Sequence, residues 1–211
     1  MAQALTRQEH EALSERIRAA EKHTTGEIYC VVARMSDSYA FPAAFMLALG
    51  VVLVSLPVAW WLDRSWIQLS HLAFLAAQAA ALASALLVVW LSPALRIRFV
   101  PRPLRYRRAH ANAVKQFLAH NIHLTENRTG ILIFVSLAER YAEVVADAGI
   151  NAHVAQEEWN QIVARVTAAA AAGKLAEGLS DAIDRSAFLL SQPFPSGVRN
   201  PNELPDRVVE I

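Results

Sequence analysis

Hydrophobic and polar positions change rhythm abruptly along this chain. Two stretches, Phe41 to Leu62 and Ile67 to Leu91, contain no Asp, Glu, Lys or Arg. At 1.5 Å of rise per helical residue, each is long enough to cross a hydrocarbon layer of about 30 Å. Only Asp63, Arg64, Ser65 and Trp66 separate them, which predicts a helical hairpin that turns back at once. Pro57 falls inside the first stretch, where membrane helices tolerate proline when neighbours satisfy the freed carbonyl. Trp60, Trp61 and Trp66 crowd the tip and Trp90 lies at the far end of the second stretch, as in the aromatic belts at membrane interfaces.

Outside these stretches the pattern is that of an α/β domain. Thr6 and Glu9 form the T-x-x-E signature of a capping box. Leu13, Ile17 and Ala20 follow on one face, predicting a helix from about Arg7 to His23. Glu27–Ala33 is apolar at both alternating sets of positions, the pattern of a central strand covered on both sides. Leu104 to about His123 returns to helical spacing, with Tyr106, Ala109, Ala113, Phe117 and Leu118 as the predicted buried face. Ile131–Ser136 and Tyr141–Asp147 read as strands. The few residues around Ala138, Glu139 and Arg140 are too short for a parallel crossover and require an antiparallel hairpin. Trp159, Ile162, Val163 and Val166 predict a helix ending near Gly173, and Leu175, Leu179, Ile183, Ala187 and Leu190 predict a last one stopped by Pro193.

One helix and one two-sided strand before the hairpin lack the core to fold alone. The expected organisation is a split domain of residues 1–40 and 94–211, with spans at 41–62 and 67–91 and an extended tail from about residue 191. With a formal net charge of +1, a general nucleic-acid-binding surface is not indicated. Cys30 is the single cysteine, so no intramolecular disulfide can form. No apolar segment of signal-peptide type precedes Phe41. Positive charge is local: Arg96, Arg98, Arg102, Arg105, Arg107 and Arg108 follow the second stretch, Arg34 precedes the first, and Arg64 alone marks the tip. By the positive-inside rule this places both termini in the cytoplasm. The cluster reads either as a topology signal alone or as a lipid-facing surface.

Ser36 and Asp37 follow the first strand, Ser136 and Glu139 the second, and Asp147 the third. If they converge, Asp37, Ser136, Glu139 and Asp147 supply the oxygen ligands that Ca²⁺ or Mg²⁺ takes. Such a cation can polarise a phosphoryl oxygen and activate water, which makes Asp37, Glu139 and Asp147 the catalytic candidates. The structural alternative has Glu139 and Arg140 as solvated turn residues and Asp147 as a cap. Glu27 is expected to be a surface ion-pair partner of Lys22 or His23. His120 and His123, with Glu126 nearby, have metal-like spacing on a polar helix end, where it is usually accidental. No nucleophile elbow, phosphate-binding loop or dinucleotide fingerprint is present.

The runs Ala20-Glu21-Lys22-His23-Thr24-Thr25-Gly26-Glu27-Ile28, Thr129 to Ser136 and Ala146-Asp147-Ala148-Gly149-Ile150 resemble the TPM domain, named for a thylakoid-lumen protein, a photosystem II repair protein and a nematode receptor-auxiliary protein. The segment Asn202-Glu203-Leu204-Pro205-Asp206 resembles the close of bacterial membrane proteins with that domain. The resemblance implies an α/β/α sandwich with a small mixed sheet, here interrupted by the two-helix transmembrane hairpin. Plant members are associated with weak acid-phosphatase activity and photosystem repair, and others act as membrane-protein accessories. This chain differs in placing two spans inside the domain. The expectation is a multi-pass protein of a bacterial inner membrane, touching lipid and assisting another membrane protein, without catalysis of its own and open to homo-oligomerisation. The competing expectation is a metal-dependent phosphatase at the membrane surface.

Overall fold

A computed structural model describes residues 4–67, 69–196 and 202–211. The chain forms two compact units, one made by the described residues up to Ser36 and from Tyr106 onward, the other by Asp37–Arg105.

The first unit begins with α1 (Arg7–Glu21), whose capping box is formed by Thr6 and Glu9. Gly26 precedes β1 (Glu27–Ala33), every residue of which is buried. Then come α5 (Arg102–Ala119), which starts four residues upstream of the boundary at Tyr106, and β2 (Gly130–Ser136). β3 (Tyr141–Ala146), the short α6 (Ala148–Asn151), α7 (Gln156–Ala171), α8 (Leu175–Ser191) and β4 (Val208–Glu210) follow. The sheet has the order β3-β2-β1-β4. β1 pairs in parallel with β2, Glu27 opposite Gly130 and Ala33 opposite Ser136, while β3 returns antiparallel along β2. Strand pairing thus unites residues from before and after the second unit.

Three layers result. On one face, Leu13 and Ile17 of α1, Trp159 and Ile162 of α7, and Leu179 and Ile183 of α8 bury Ile28, Cys30 and Val32. On the other, Ala113 and Phe117 of α5 with Ile122 and Leu204 bury Tyr29, Val31 and Phe134. Each large apolar side chain so enclosed contributes about 1.5–3 kcal/mol, and this two-sided cover is why β1 has no polar face. α7 ends at Gly173, whose φ of +75° supplies the left-handed turn into α8.

Two expectations need correction here. Tyr106 and Leu118 are exposed, not buried; α5 contacts the sheet through the narrower stripe of Ala109, Ala113 and Phe117. The tail is not merely extended: β4 adds to the sheet edge, with Cys30 opposite Val208 and Val32 opposite Glu210. Glu210 anchors it, accepting from the N–H of Leu5 (3.0 Å) and Ala4 (3.3 Å) and bonding His10 Nε2 at 3.0 Å. Residues 197–201 of the tail lie outside the described residues.

In the second unit, α2 (Ala40–Arg64) and α3 (His71–Leu91) are both long and apolar enough to cross a membrane, with almost all their side chains unburied. The connection is displaced from the expected Asp63–Trp66 turn. Asp63 and Arg64 remain helical, Arg64 lying 5.8 Å over the Trp60 ring near the helix carboxyl end, where a cation is favoured. α3 starts only after Ser70, whose Oγ accepts from Ala73 N. Gln78 Nε2 donates to Ser55 Oγ at 3.2 Å, a polar link between two apolar helices. The four-residue α4 (Pro93–Arg96) follows α3.

Candidate functional site

The two ends of the β1–β2 pair carry the polar side chains that the core excludes. Beyond β1 and β2 the ladder continues, Leu137 N donating to Ala33 O and Ala138 N to Arg34 O at 2.9 and 3.0 Å. Arg140, at φ +52°, then reverses the chain into β3. That turn folds Glu139 back over the strand ends, leaving it 2% exposed. Its Oε1 accepts from Ser36 N at 2.9 Å, its Oε2 accepts from Ser136 Oγ, and Ser136 Oγ lies 2.8 Å from Ser36 Oγ. Glu139 is therefore a buried, hydrogen-bonded residue and not the solvated turn residue of the structural alternative. Ser136, Arg140, Tyr141 and Thr167 also line an adjoining cleft of about 340 Å³.

The proposed cation ligands are not assembled at this end. Asp147 follows Ala146, which stands opposite Ile131, so it lies at the other end of the sheet, its N–H donating to Gly130 O at 3.0 Å. With six residue steps of about 3.3 Å between Gly130 and Ser136, the separation from Ser136 is roughly 20 Å. Asp147 is the cap of α6: its Oδ1 accepts from Ala148 N at 2.6 Å, while its buried Oδ2 has no hydrogen-bond partner among the described residues. Asp37 belongs to the second unit, where its Oδ1 accepts from Ser38 Oγ at 3.4 Å. Among the described residues no three His, Cys, Asp or Glu side chains come together as a metal site. The donor set of Asp37, Ser136, Glu139 and Asp147 therefore does not fit one shared Ca²⁺ or Mg²⁺. His120 and His123 also part: His120 Nδ1 lies 3.2 Å from Tyr29 Oη, and the His123 ring faces Phe117. Glu126 holds the tail instead, its N–H donating to Glu203 Oε2.

The opposite end holds a carboxyl cluster that sequence reasoning missed. Glu27 is buried and pairs with neither Lys22 nor His23; its Oε2 accepts from Leu204 N at 3.1 Å. The surface expectation fails because the tail covers the strand entrance. Glu21, at the end of α1, accepts from Ile28 N at 2.8 Å. Burial pushes its carboxyl up to about 9, and the charges of Glu27 and Asp206 and a hydrogen bond with Asp206 push the same way. Burial also raises Glu27, with Glu203 and Asp206 adding to it. Asp206 is held by Arg18 Nε at 3.0 Å and Asn202 Nδ2 at 2.7 Å. A carboxyl raised this far holds its proton at neutral pH, which lets Glu21 share a buried site with Glu27 beside Asp206. The signal was present in the Ala20–Ile28 and Asn202–Asp206 runs, since these two segments meet here. Likewise the Ala146–Ile150 run meets Thr129–Gly130, where a Cβ on Gly149 would stand 2.7 Å from Arg128 O.

The six arginines after α3 are not equivalent. Arg96 is turned back onto the end of that helix, Nε donating to Val89 O at 2.8 Å and Nη2 to Trp90 O at 3.1 Å. Arg105 is half-buried, whereas Arg98, Arg102, Arg107 and Arg108 are exposed.

Residues 91–187 match the family model described as TPM domain. The fold is similar to the NMR structure of the BA42 protein from the psychrophilic bacterium Bizionia argentinensis, with a TM-score of 0.61 and 18% identity over 100% of this chain and 98% of that one. No curated protein matches the chain.

Proposed function

We propose that this TPM-domain protein is an integral membrane accessory factor, whose TPM unit binds and assists another protein of a bacterial inner membrane. One observation carries the reading: two apolar helices of membrane-spanning length stand between β1 and β2, which are neighbours in one sheet. A chain that leaves a sheet through two spans and returns to pair with its own strand must keep that sheet on one side of the bilayer. The arginines after α3 favour the cytoplasmic side. The polar clusters at both sheet ends are occupied in joining segments of the fold, Glu139 by Ser36 and Ser136, Glu27 by Leu204, which supports a binding role over turnover.

The test is made in cells lacking the protein. At least one integral membrane protein should lose abundance or its assembled form, and the full chain should restore it; an unaltered membrane proteome would remove this reading. Metal-dependent phosphate release by the purified full-length protein, lost in Asp147→Ala with the fold intact, would replace it with the phosphatase. A periplasm-only reporter active at the carboxyl terminus would reverse the orientation.

A further inference from the structure

The two edges of the sheet are built differently. β4 covers the β1 edge with three residues, fixed in place by Glu210 and its partners Leu5 and His10. At the other edge β3 runs for six residues, Tyr141–Ala146, half-buried along its length and paired, among the described residues, on one side only. Edge strands are ordinarily protected by brevity, proline, lysine or a bulge. β3 contains no proline, lysine or arginine, and its register with β2 runs unbroken from Ser136–Tyr141 to Ile131–Ala146. Its one charged residue, Glu143, is engaged with α5: His110 Nδ1 lies 2.9 Å away, and Tyr141 Oη donates to it at 2.8 Å.

The outer edge of β3 has a definite pattern. Asp147 N donates to Gly130 O across the ladder. In an antiparallel pair, residues whose backbone groups point at the partner alternate with those that point away. Tyr141, Glu143 and Val145 therefore bond β2, and Ala142, Val144 and Ala146 present their N–H and C=O groups outward. None of these three N–H groups has a hydrogen-bond partner among the described residues, nor do the C=O groups of Ala142 and Val144; Ala146 O accepts from Asn151 Nδ2 at 3.1 Å. Charge brackets the strand. Arg140, exposed and without an ion pair among the described residues, precedes it, and Asp147 follows it. A strand that runs antiparallel and carries the same two charges in the same order complements both ends.

We propose that β3 is a docking edge for β3 of a second copy of this chain, the two strands pairing antiparallel about Val144 so that their sheets join. In that register the two Val144 exchange backbone bonds, Ala142 pairs with Ala146, and Arg140 of each copy comes beside Asp147 of the other. Glu143 then stands opposite Val145. Centring the pair on Glu143 would set the two Glu143 opposite each other, and centring it on Val145 would set Glu143 opposite Asp147; like charges directly opposite are destabilising. Tyr106, exposed and with its ring 5.3 Å from that of Tyr141, flanks the seam on the α5 face, in keeping with the enrichment of aromatic residues at interfaces. This pairing is independent of the accessory role.

The chain's one cysteine, Cys30, is fully buried, so introduced cysteines report on the edge alone. Facing Val144 residues would hold their Cα atoms about 5.5 Å apart, within the range a disulfide spans, whereas the two Ala142 residues would be about 13 Å apart along the strands. Mild oxidation of the full-length protein in native membranes should link Val144→Cys into a dimer and leave Ala142→Cys monomeric. In neutral detergent the native protein should have the mass of two chains. Val144→Pro removes an outward N–H, which an edge strand tolerates, and should reduce the mass to one chain with the fold retained. Arg140→Glu, which sets a like charge beside Asp147, should raise the dissociation constant about tenfold should the proline variant not fold. A native mass of one chain, a folded Val144→Pro that stays dimeric, an unchanged dissociation constant in Arg140→Glu, or Val144→Cys that links no better than Ala142→Cys or only to other proteins would overturn the proposal.

Discussion

The two ends of the β1–β2 pair bury carboxyl groups in opposite ways. At one end a single carboxylate, Glu139, meets donors on both oxygens from Ser36 and Ser136. At the other, Glu21, Glu27 and Asp206 crowd together, with Ile28 N, Leu204 N and Arg18 among the donors. Burial is similar; the supply of donors is not. The donor-rich end closes a local turn, whereas the other joins three segments distant in sequence. At the crowded end burial, with the charges of Glu27 and Asp206 acting the same way, pushes the Glu21 carboxyl up to about 9.

The largest effect should come from adding another carboxyl between the ends. Cys30 is fully buried in β1, and an unpaired charge there costs several kcal/mol, about the stability of a small domain. Cys30→Asp should expose residues 128–185 to limited proteolysis in membranes; unchanged protection would show that β1 is not part of the same cooperative unit as β2. Next, Glu139→Ala leaves Ser36 N and Ser136 Oγ without their acceptor and should cost about 3 kcal/mol in denaturant unfolding.

The carboxyl-rich end makes a pH prediction whose sign is fixed. Because the folded Glu21 holds its proton up to about 9 against an ordinary value of 4.5, its contribution is complete below 4.5 and lost as pH rises toward 9. Stability should fall across this window by up to about 1.4 kcal/mol per pH unit, and Glu21→Gln should flatten the profile measured by thermal unfolding. A wild-type profile already flat would mean that the cluster does not share a proton. The smallest effect should be that of Ser36→Ala, which keeps the backbone donor to Glu139 and loses only a hydroxyl contact, about 1 kcal/mol. A much larger loss would show that the hydroxyl, not the backbone, holds that end together.

Period and capping made the elements legible: α1, β1, the β2–β3 hairpin and α8 lie close to where Thr6, the two-sided Glu27–Ala33 run, Arg140 and Leu175–Leu190 place them. The two helices of spanning length were legible for the same reason, since composition over twenty residues outweighs any single position. The strand at Val208–Glu210 was not, because three residues carry no period and its register depends on Glu210 reaching Leu5 and His10. The candidate site was read least well. Ser36, Ser136 and Glu139 do meet, as strand-end residues of neighbouring strands should. Asp147 was grouped with them although an antiparallel β3 carries its end back to the opposite edge. Glu21 and Asp206 are 185 residues apart, and no local pattern announces a contact made by folding over that distance.

β1 has consequences for the order of events during synthesis. It leaves the ribosome ahead of both its neighbours, β2 beginning at Gly130 and β4 at Val208. At translation rates of about 5–20 residues per second, the nearly one hundred residues between β1 and β2 take roughly 5–20 s to appear. Throughout that interval a strand apolar on both faces has no edge to pair with, and two still more apolar helices emerge behind it. The nascent chain is therefore sticky at both places before its sheet can close, so the time taken to translate through α2 and α3 to β2 governs how long β1 stays exposed to aggregation.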